Sequence, residues 1–329
     1  MTIRVLCYGL GPIGLGIARL AAARPGIEIV GAVDVDPAKV GRDLGELLGG
    51  APTGVVITDS VAGAMAAGPQ AVLHATSSSL ARVTAQLEEL AALGADVVST
   101  CEELSYPWAA QPQIAAHLDR TAKAHNVTLL GTGINPGYAM DALPLMLTAP
   151  CASVRSVRVT RVVDAARRRG PLQKKVGAGL SAEEFAEQVR AGSVRHVGLP
   201  ESLAMVAGSL GWPLDSVHDT IEPVVAQQEI VTEFVRVEPG RVAGVRQVAS
   251  GVRNGVEVVR LELQMYVGAP DARDEIEIDG DPPIHAVVPG GFHGDVATAA
   301  ILVNALPTVV RAAPGLATMM DVGVVHWSQ

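Results

Sequence analysis

The chain is short of several residue types, and each shortage excludes something. Only three cysteines occur in 329 residues, Cys7, Cys101 and Cys151. They make neither an even framework nor a Cys-x-x-Cys pair, which excludes a disulfide scaffold and fits a reduced, cytoplasmic setting. Cations are the minority: 25 Lys and Arg against 34 Asp and Glu leave a net charge of −9. That balance argues against nucleic acid or an anionic membrane as partner. The one dense basic run, Arg167 to Arg169 followed by Lys174 and Lys175, reads as solvated charge with room for one side chain to reach a carboxylate. The most apolar late stretch, Val296 to Ala312, is interrupted by Asn304, Pro307 and Arg311 and does not read as a membrane span. The opening MTIRVLCYG has no signal-peptide pattern. No His, Cys or Asp spacing suggests a metal, and no serine elbow appears. His74, His196 and His293 are isolated, and a lone histidine is more often structural than catalytic.

What is present is concentrated at the start. Ile3 to Tyr8 reads as a buried strand, and Gly9-Leu10-Gly11-Pro12-Ile13-Gly14 follows at once. An Ala/Leu-rich helix pattern then runs to about Ala23, and a second apolar run, Ile27 to Val33, ends in Asp34. Strand, glycine turn, helix, strand and acid is the order of a dinucleotide site. Gly9 permits the tight turn, Gly11 the approach of a pyrophosphate, and Gly14 close helix–sheet packing. The helix N-terminus offers free N–H groups and partial positive charge to phosphates. Asp34 is placed to accept from ribose hydroxyls, which favours NAD. Lys39 and Arg42 follow closely and can admit the 2′-phosphate of NADP.

Residues 1–148 alternate short β-rich runs with helical patterns, the mark of a doubly wound parallel (Rossmann) sheet. Strands are expected near 55–58, 71–75, 95–100 and 127–130. Helices are expected at 80–93, where Leu80, Val83, Leu87, Leu90 and Leu93 share a face, and at 113–125. From 149 to 291 the pattern changes to long alternating strands (154–163, 229–237, 242–251, 255–267 and 275–278). Asn254-Gly255 is a hairpin signal and Ser181 to Glu184 a capping box. This predicts a mostly antiparallel α+β domain for substrate binding and oligomerisation, expected to form a homodimer. Residues 292–329, with helices at 294–306 and 316–320, return to the first domain.

Ligands of a doubly wound sheet bind beyond the carboxyl ends of its strands. Four segments converge there: the glycine turn, Thr76 to Ser79, Cys101 to Trp108 and Gly131 to Tyr138. Thr76 and Ser77 are expected against the cofactor, and Asn135 close to its carboxamide. Glu102 and Glu103 stand just past a strand end, near Tyr106 and Trp108. In an extended loop one would face the nicotinamide and the other support the loop.

Several stretches carry a resemblance. They are YGLGPIG at Tyr8 to Gly14, VDVDPAKVGRDLGEL at Val33 to Leu47, HATSSS at His74 to Ser79 and STCEELSYPW at Ser99 to Trp108. GTGINPG at Gly131 to Gly137, QKKVGAGL at Gln173 to Leu180 and HVGLPES at His196 to Ser202 continue it. The chain resembles the NAD(P)-dependent native amine dehydrogenases, which include the 2,4-diaminopentanoate dehydrogenases, on a plan similar to dihydrodipicolinate reductase. The resemblance implies oxidative deamination of a primary amine and the reverse reductive amination. Sugar-type oxidoreductases of the wider superfamily carry Glu-Lys-Pro at this strand end. Here Glu103 stands in the lysine's place, which favours it over Glu102 as the acting acid. A carboxylate suits a cationic iminium, and burial beside Tyr106, Trp108 and Tyr138 would raise its pKa towards the working pH. By resemblance, Gln173 to Gly179 and His196 to Ser202 line the substrate pocket, and Met140 sets its size. Two other readings stand beside this one. An amino acid dehydrogenase would need a cation for the substrate carboxylate, from Arg161, Arg167 or Arg195. A non-catalytic NAD-binding sensor would turn nothing over.

Overall fold

The structure is a computed structural model that describes residues 2–328 other than 169, and of residue 167 the backbone alone. The chain divides into two compact units, Met1–Tyr138 with His293–Gln329, and Ala139–Phe292.

The first unit opens with β1 (Ile3–Tyr8), α1 (Pro12–Ala23), β2 (Ile27–Val33), α2 (Leu44–Leu47), β3 (Ile57–Thr58), α3 (Val61–Met65) and β4 (Ala71–His74). It continues through α4 (Leu80–Ala92), β5 (Asp96–Ser99), α5 (Pro112–Ala124) and β6 (Thr128–Gly131). The strands are short, apolar on both faces and paired in parallel, as expected where helices cover both sides. From the third strand to the sixth the sheet order is β3-β2-β1-β4-β5-β6. The crossovers leaving β1 and β4 run towards opposite edges, so right-handed connections put α1 and α4 on opposite faces. The order therefore reverses between β1 and β4, where the glycine turn and the loop after His74 emerge side by side. The predicted face of α4 is buried: Leu80, Val83, Leu87 and Leu90 are fully covered. Leu93 lies just past the helix and is exposed.

The second unit holds α6 (Ala142–Leu147), β7 (Ser153–Asp164), α7 (Gly170–Lys175), α8 (Ala182–Arg190) and α9 (Leu199–Ser209). Its remaining strands are β8 (Ser216–Val225), β9 (Ile230–Val231), β10 (Arg236–Val237), β11 (Val242–Arg253), β12 (Val256–Tyr266), β13 (Arg273–Asp281) and β14 (Ile284–Pro289). Six of them form one sheet, ordered β14-β13-β7-β12-β11-β8 and antiparallel except for β7 with β12. Alternation sorts the side chains. Val157, Val159, Leu261, Leu263 and Val245 are buried, while Arg246, Glu262, Arg273 and Glu275 point the other way and pair as ions. The hairpin signal is met: Asn254 and Gly255 both take positive φ, 53° and 75°. So is the capping box, with Ser181 and Glu184 bonded reciprocally.

The chain then returns to the first unit with α10 (Gly294–Val309) and β15 (Gly315–Ala317). Two expectations fail. Residues 316–320 are not helical; β15 pairs in parallel with β6 and closes that edge of a seven-stranded sheet. The open N–H and C=O groups of β6 outweigh the helix propensity of Leu and Ala. The run 229–237 is not one strand but a two-stranded ribbon, β9 with β10. There the Thr232 hydroxyl accepts from the N–H groups of Phe234 and Val235 and turns the chain. Strand β8 gives little sequence signal because it is an edge strand, largely exposed and carrying Pro223.

Candidate active site

The glycine turn has the geometry its spacing predicts. Gly9 sits at φ +88°, and a Cβ there would lie 2.5 Å from the carbonyl oxygen of Ala75. Glycine is thus what allows the loop after β4 to lie against the turn. A Cβ on Gly14 would meet the Gly9 oxygen at 1.8 Å, so α1 packs directly on the turn. Gly11 is different. It caps α1 in extended geometry, and nothing lies within 4 Å of its Cβ direction. No side chain caps α1, and Pro12 takes up the first helical position. Open space beside Gly11 and uncapped N–H groups from Ile13 onward fit a pyrophosphate.

Asp34 stands at the end of β2, 7% exposed. Its Oδ2 accepts from Leu10 N at 2.7 Å and from Lys39 Nζ at 3.2 Å, and its Oδ1 accepts from Asp36 N at 2.8 Å. Burial alone would raise its pKa, but the Asp36 and Leu10 N–H groups and the Lys39 ammonium outweigh that and lower it. Lys39 also reaches Asp36 at 3.3 Å. Asp34 is therefore bonded to the glycine turn and paired with a lysine.

Beyond β5 the chain is not extended, which corrects the sequence-based expectation. Glu102–Leu104 form a 3-10 turn, so successive side chains are set about 120° apart rather than on opposite sides. Glu103 Oε2 accepts from Leu80 N at 2.7 Å and from Gln111 Nε2 at 2.9 Å. The first of these supplies α4 with the N-terminal cap that Ser79 does not provide. Both donors converge on Oε2, which fixes the plane of the carboxylate. Glu102 is half-buried in the same turn. Gly131 allows the whole turn to sit where it does, because a Cβ there would lie 2.6 Å from the Leu104 carbonyl carbon. The sequence points to Leu80 only as part of a helix face and to Gly131 only as the start of a loop, and not to Gln111. No motif links them to the acids: Glu103 bonds to a residue 23 positions earlier.

The aromatic residues are arranged around the core more than around the acids. Tyr106 and Trp108 stack at a tilt, with centroids 5.2 Å apart, and Trp108 packs on the α4–α5 core. Burial and the nearby Asp321 carboxylate raise the Tyr106 hydroxyl, so it holds its proton near neutrality. Burial likewise pushes the Cys101 thiol to about 12, so it stays a thiol. On the loop after β4, Thr76 is exposed and Ser77 half-buried. Asn135 is buried and Tyr138 half-buried in the loop after β6.

In the second unit Met140 is fully covered. His196 lines a small cavity there with Lys175, Arg195, Val245, Leu263 and Met265. Gln173 is a brace rather than a pocket residue: fully buried, it donates to the Ala166 and Arg168 carbonyls and accepts from Thr232. Ser202, also buried, donates to Asp141. Of the cations named for a carboxylate, Arg161 is committed to Asp274 and the Phe292 carbonyl. Arg195 lies at the cavity, 3.8 Å from Asp219. The Arg167 side chain and Arg169 lie outside the described residues. Among the described residues no three His, Cys, Asp or Glu side chains are grouped to hold a metal.

Residues 138–328 match the family described as the 2,4-diaminopentanoate dehydrogenase C-terminal domain. Along nearly its whole length the chain is similar to 2,4-diaminopentanoate dehydrogenase of Acetoanaerobium sticklandii, 31% identical over 98% of this chain and 94% of that protein. The chain belongs to the 2,4-diaminopentanoate dehydrogenase family. An amine dehydrogenase of Streptomyces virginiae is 24% identical over 97% of this chain and 96% of its own length. The solved structure of an amine dehydrogenase from Mycobacterium smegmatis superposes with a TM-score of 0.86 at 27% identity, covering 100% of this chain and 98% of that one. The family segment takes in the whole second unit as well as α10 and β15.

Proposed function

We propose that the protein is an NAD(P)-dependent amine dehydrogenase. It interconverts a primary amine with a ketone or aldehyde plus ammonia. Membership of the 2,4-diaminopentanoate dehydrogenase family carries this reading, and a carboxylate held at the carboxyl end of β5 supports it. In the reductive direction carbonyl, ammonium, NADH and a proton give the protonated amine, NAD and water. The residues that fit the cofactor are Gly9, Gly11, Pro12, Ile13 and Gly14 at the pyrophosphate and Asp34 at the ribose, with Thr76, Ser77 and Asn135 towards the nicotinamide. When bound, the reduced nicotinamide supplies the hydride.

The chain's own work is to manage protons and charge. Glu103, assisted by Glu102, holds ammonium beside the carbonyl carbon and takes a proton from the attacking nitrogen. It then returns a proton to the hemiaminal oxygen, which leaves as water. The same carboxylate faces the cationic iminium and stabilises it. Within the first unit, Tyr106, Trp108 and Tyr138 shape the surroundings of the acids and exclude water, which would hydrolyse the iminium. NAD is preferred and NADP accepted, because Lys39 offsets the charge of Asp34.

A second reading has one observation in its favour: Arg195 and Lys175 edge the cavity that His196 lines. These cations suit a substrate with a carboxylate, as in an amino acid dehydrogenase. Removing the carboxylate from the substrate separates the two, since a plain amine dehydrogenase keeps its rate. The assembly is a homodimer in the cytoplasm, joined through the ion-paired face of the six-stranded sheet; sedimentation at the monomer mass would refute the dimer. Among the described residues no helix is long and apolar enough to cross a membrane. The function is tested by NADH oxidation with small ketones and aldehydes, with and without ammonium. Oxidation should require ammonium; oxidation without it would mark a carbonyl reductase.

A further inference from the structure

One buried titratable side chain at the site has no part in that chemistry. His74, the last residue of β4, is 0% exposed. Its ring lies edge-on to Tyr8, with centroids 5.3 Å apart. Nε2 is 2.9 Å from Gln86 Oε1, and Nδ1 is 2.8 Å from Ser99 Oγ. A carbonyl oxygen only accepts, so Nε2 carries the proton. The Thr76 hydroxyl donates to the same Gln86 oxygen at 2.7 Å and lies 3.0 Å from Nε2. Nδ1 is then bare and accepts from the Ser99 hydroxyl. Ser99 Oγ in turn accepts from Cys101 N at 3.0 Å. Every donor in this chain finds an acceptor only in one neutral tautomer.

The two ends of this chain are the two loops of the site. Thr76 opens the loop after β4, and Cys101 caps the 3-10 turn that carries Glu102 and Glu103. Resting on the dehydrogenase reading above, we propose that His74 is a positioning residue that sets the cofactor loop and the acid turn relative to each other. A packing role would need only the ring's volume. The observed arrangement needs both nitrogens, one bonded towards each loop. Small displacements matter here, because misplacing a reacting group by about 1 Å costs about 100-fold in rate.

Three variants separate the arms. Ser99→Ala frees the acid turn, Gln86→Leu frees the cofactor loop, and His74→Phe keeps ring volume while severing both. NADH affinity is read by fluorescence without turnover, and kcat by ammonium-dependent oxidation. Ser99→Ala should lower kcat about tenfold with NADH affinity unchanged, Gln86→Leu should weaken NADH about threefold with little change in kcat, and His74→Phe should do both. The proposal is overturned if a folded His74→Phe protein matches wild type within twofold in both readouts. It is also overturned if Ser99→Ala and Gln86→Leu move the same parameter. Should His74→Phe not fold, the other two variants decide. Wild type that binds NADH but turns nothing over would defeat the dehydrogenase reading instead, and the binding arm would still test His74.

Discussion

The two ends of the proposed dinucleotide crevice are built in different ways. On the adenosine side, a contiguous run from Gly9 to Gly14 makes the turn, and Asp34 bonds back to Leu10 over 24 positions. On the nicotinamide side, the acid turn is held by three separate elements. Glu103 caps α4 through Leu80, Gln111 steadies the carboxylate from the start of α5, and Gly131 lets the turn lie on β6. Both sides use one device, a carboxylate accepting a backbone N–H from a neighbouring element. On the first side glycine spacing announces it; on the second, residues that are individually ordinary come together only in three dimensions. Binding is thus announced by a motif, while chemistry is assembled from residues that form none, and this contrast can be broken experimentally.

The largest effect should come from the assembled side. Glu103→Gln keeps an oxygen for Leu80 N but removes the carboxylate. Steady-state turnover should fall roughly 10²–10⁴-fold, the usual worth of a general acid–base group, with NADH affinity within about threefold of wild type. An equal loss of NADH affinity would show that Glu103 belongs to the binding side.

Next in size is a pH effect from His74. Burial lowers its pKa to about 4 from an ordinary 6.5. Between those values the unfolded chain binds a proton that the folded protein does not, so stability falls as pH drops from 6.5 to 4. The difference amounts to about 3 kcal/mol. Chemical denaturation across that range should give the slope in wild type and a flatter profile in His74→Phe. Identical profiles would show that the side chain titrates normally.

A smaller effect tests the local side. The backbone at Gly11 is accessible to any residue, and a Cβ there meets nothing. Gly11→Ala should therefore leave the melting temperature unchanged and still weaken NADH about tenfold, or about 1.4 kcal/mol, by crowding the pyrophosphate. Unchanged affinity would move the phosphates elsewhere. The smallest change is one of preference. Lys39→Ala exposes the full charge of Asp34 and should lower NADP use relative to NAD roughly threefold to tenfold, read from kcat/KM for each cofactor.

The same contrast explains what was legible in the sequence. Parallel strands buried on both faces announce themselves as apolar runs, and α4 by its periodic leucines. The Asn254-Gly255 turn and the Ser181–Glu184 box are local chemistry and could be read directly. Strand β15 could not, since Gly-Leu-Ala becomes a strand only because β6 leaves an edge to pair. Nor could the shape at Glu102 and Glu103: the pair was visible, but the 3-10 turn that separates them depends on Ser78, Leu80, Gln111 and Gly131. Gln173 was misread for a related reason, because its carbonyl partners and Thr232 come together only after folding.

The most direct test of the central claim follows two labels into one product. Wild-type protein is supplied with ¹⁵N-ammonium, NADH deuterated at C4 and a small ketone, and the product is analysed by mass spectrometry and NMR. The account predicts an amine with ¹⁵N and deuterium on the same carbon. An alcohol carrying deuterium and no ¹⁵N would contradict it.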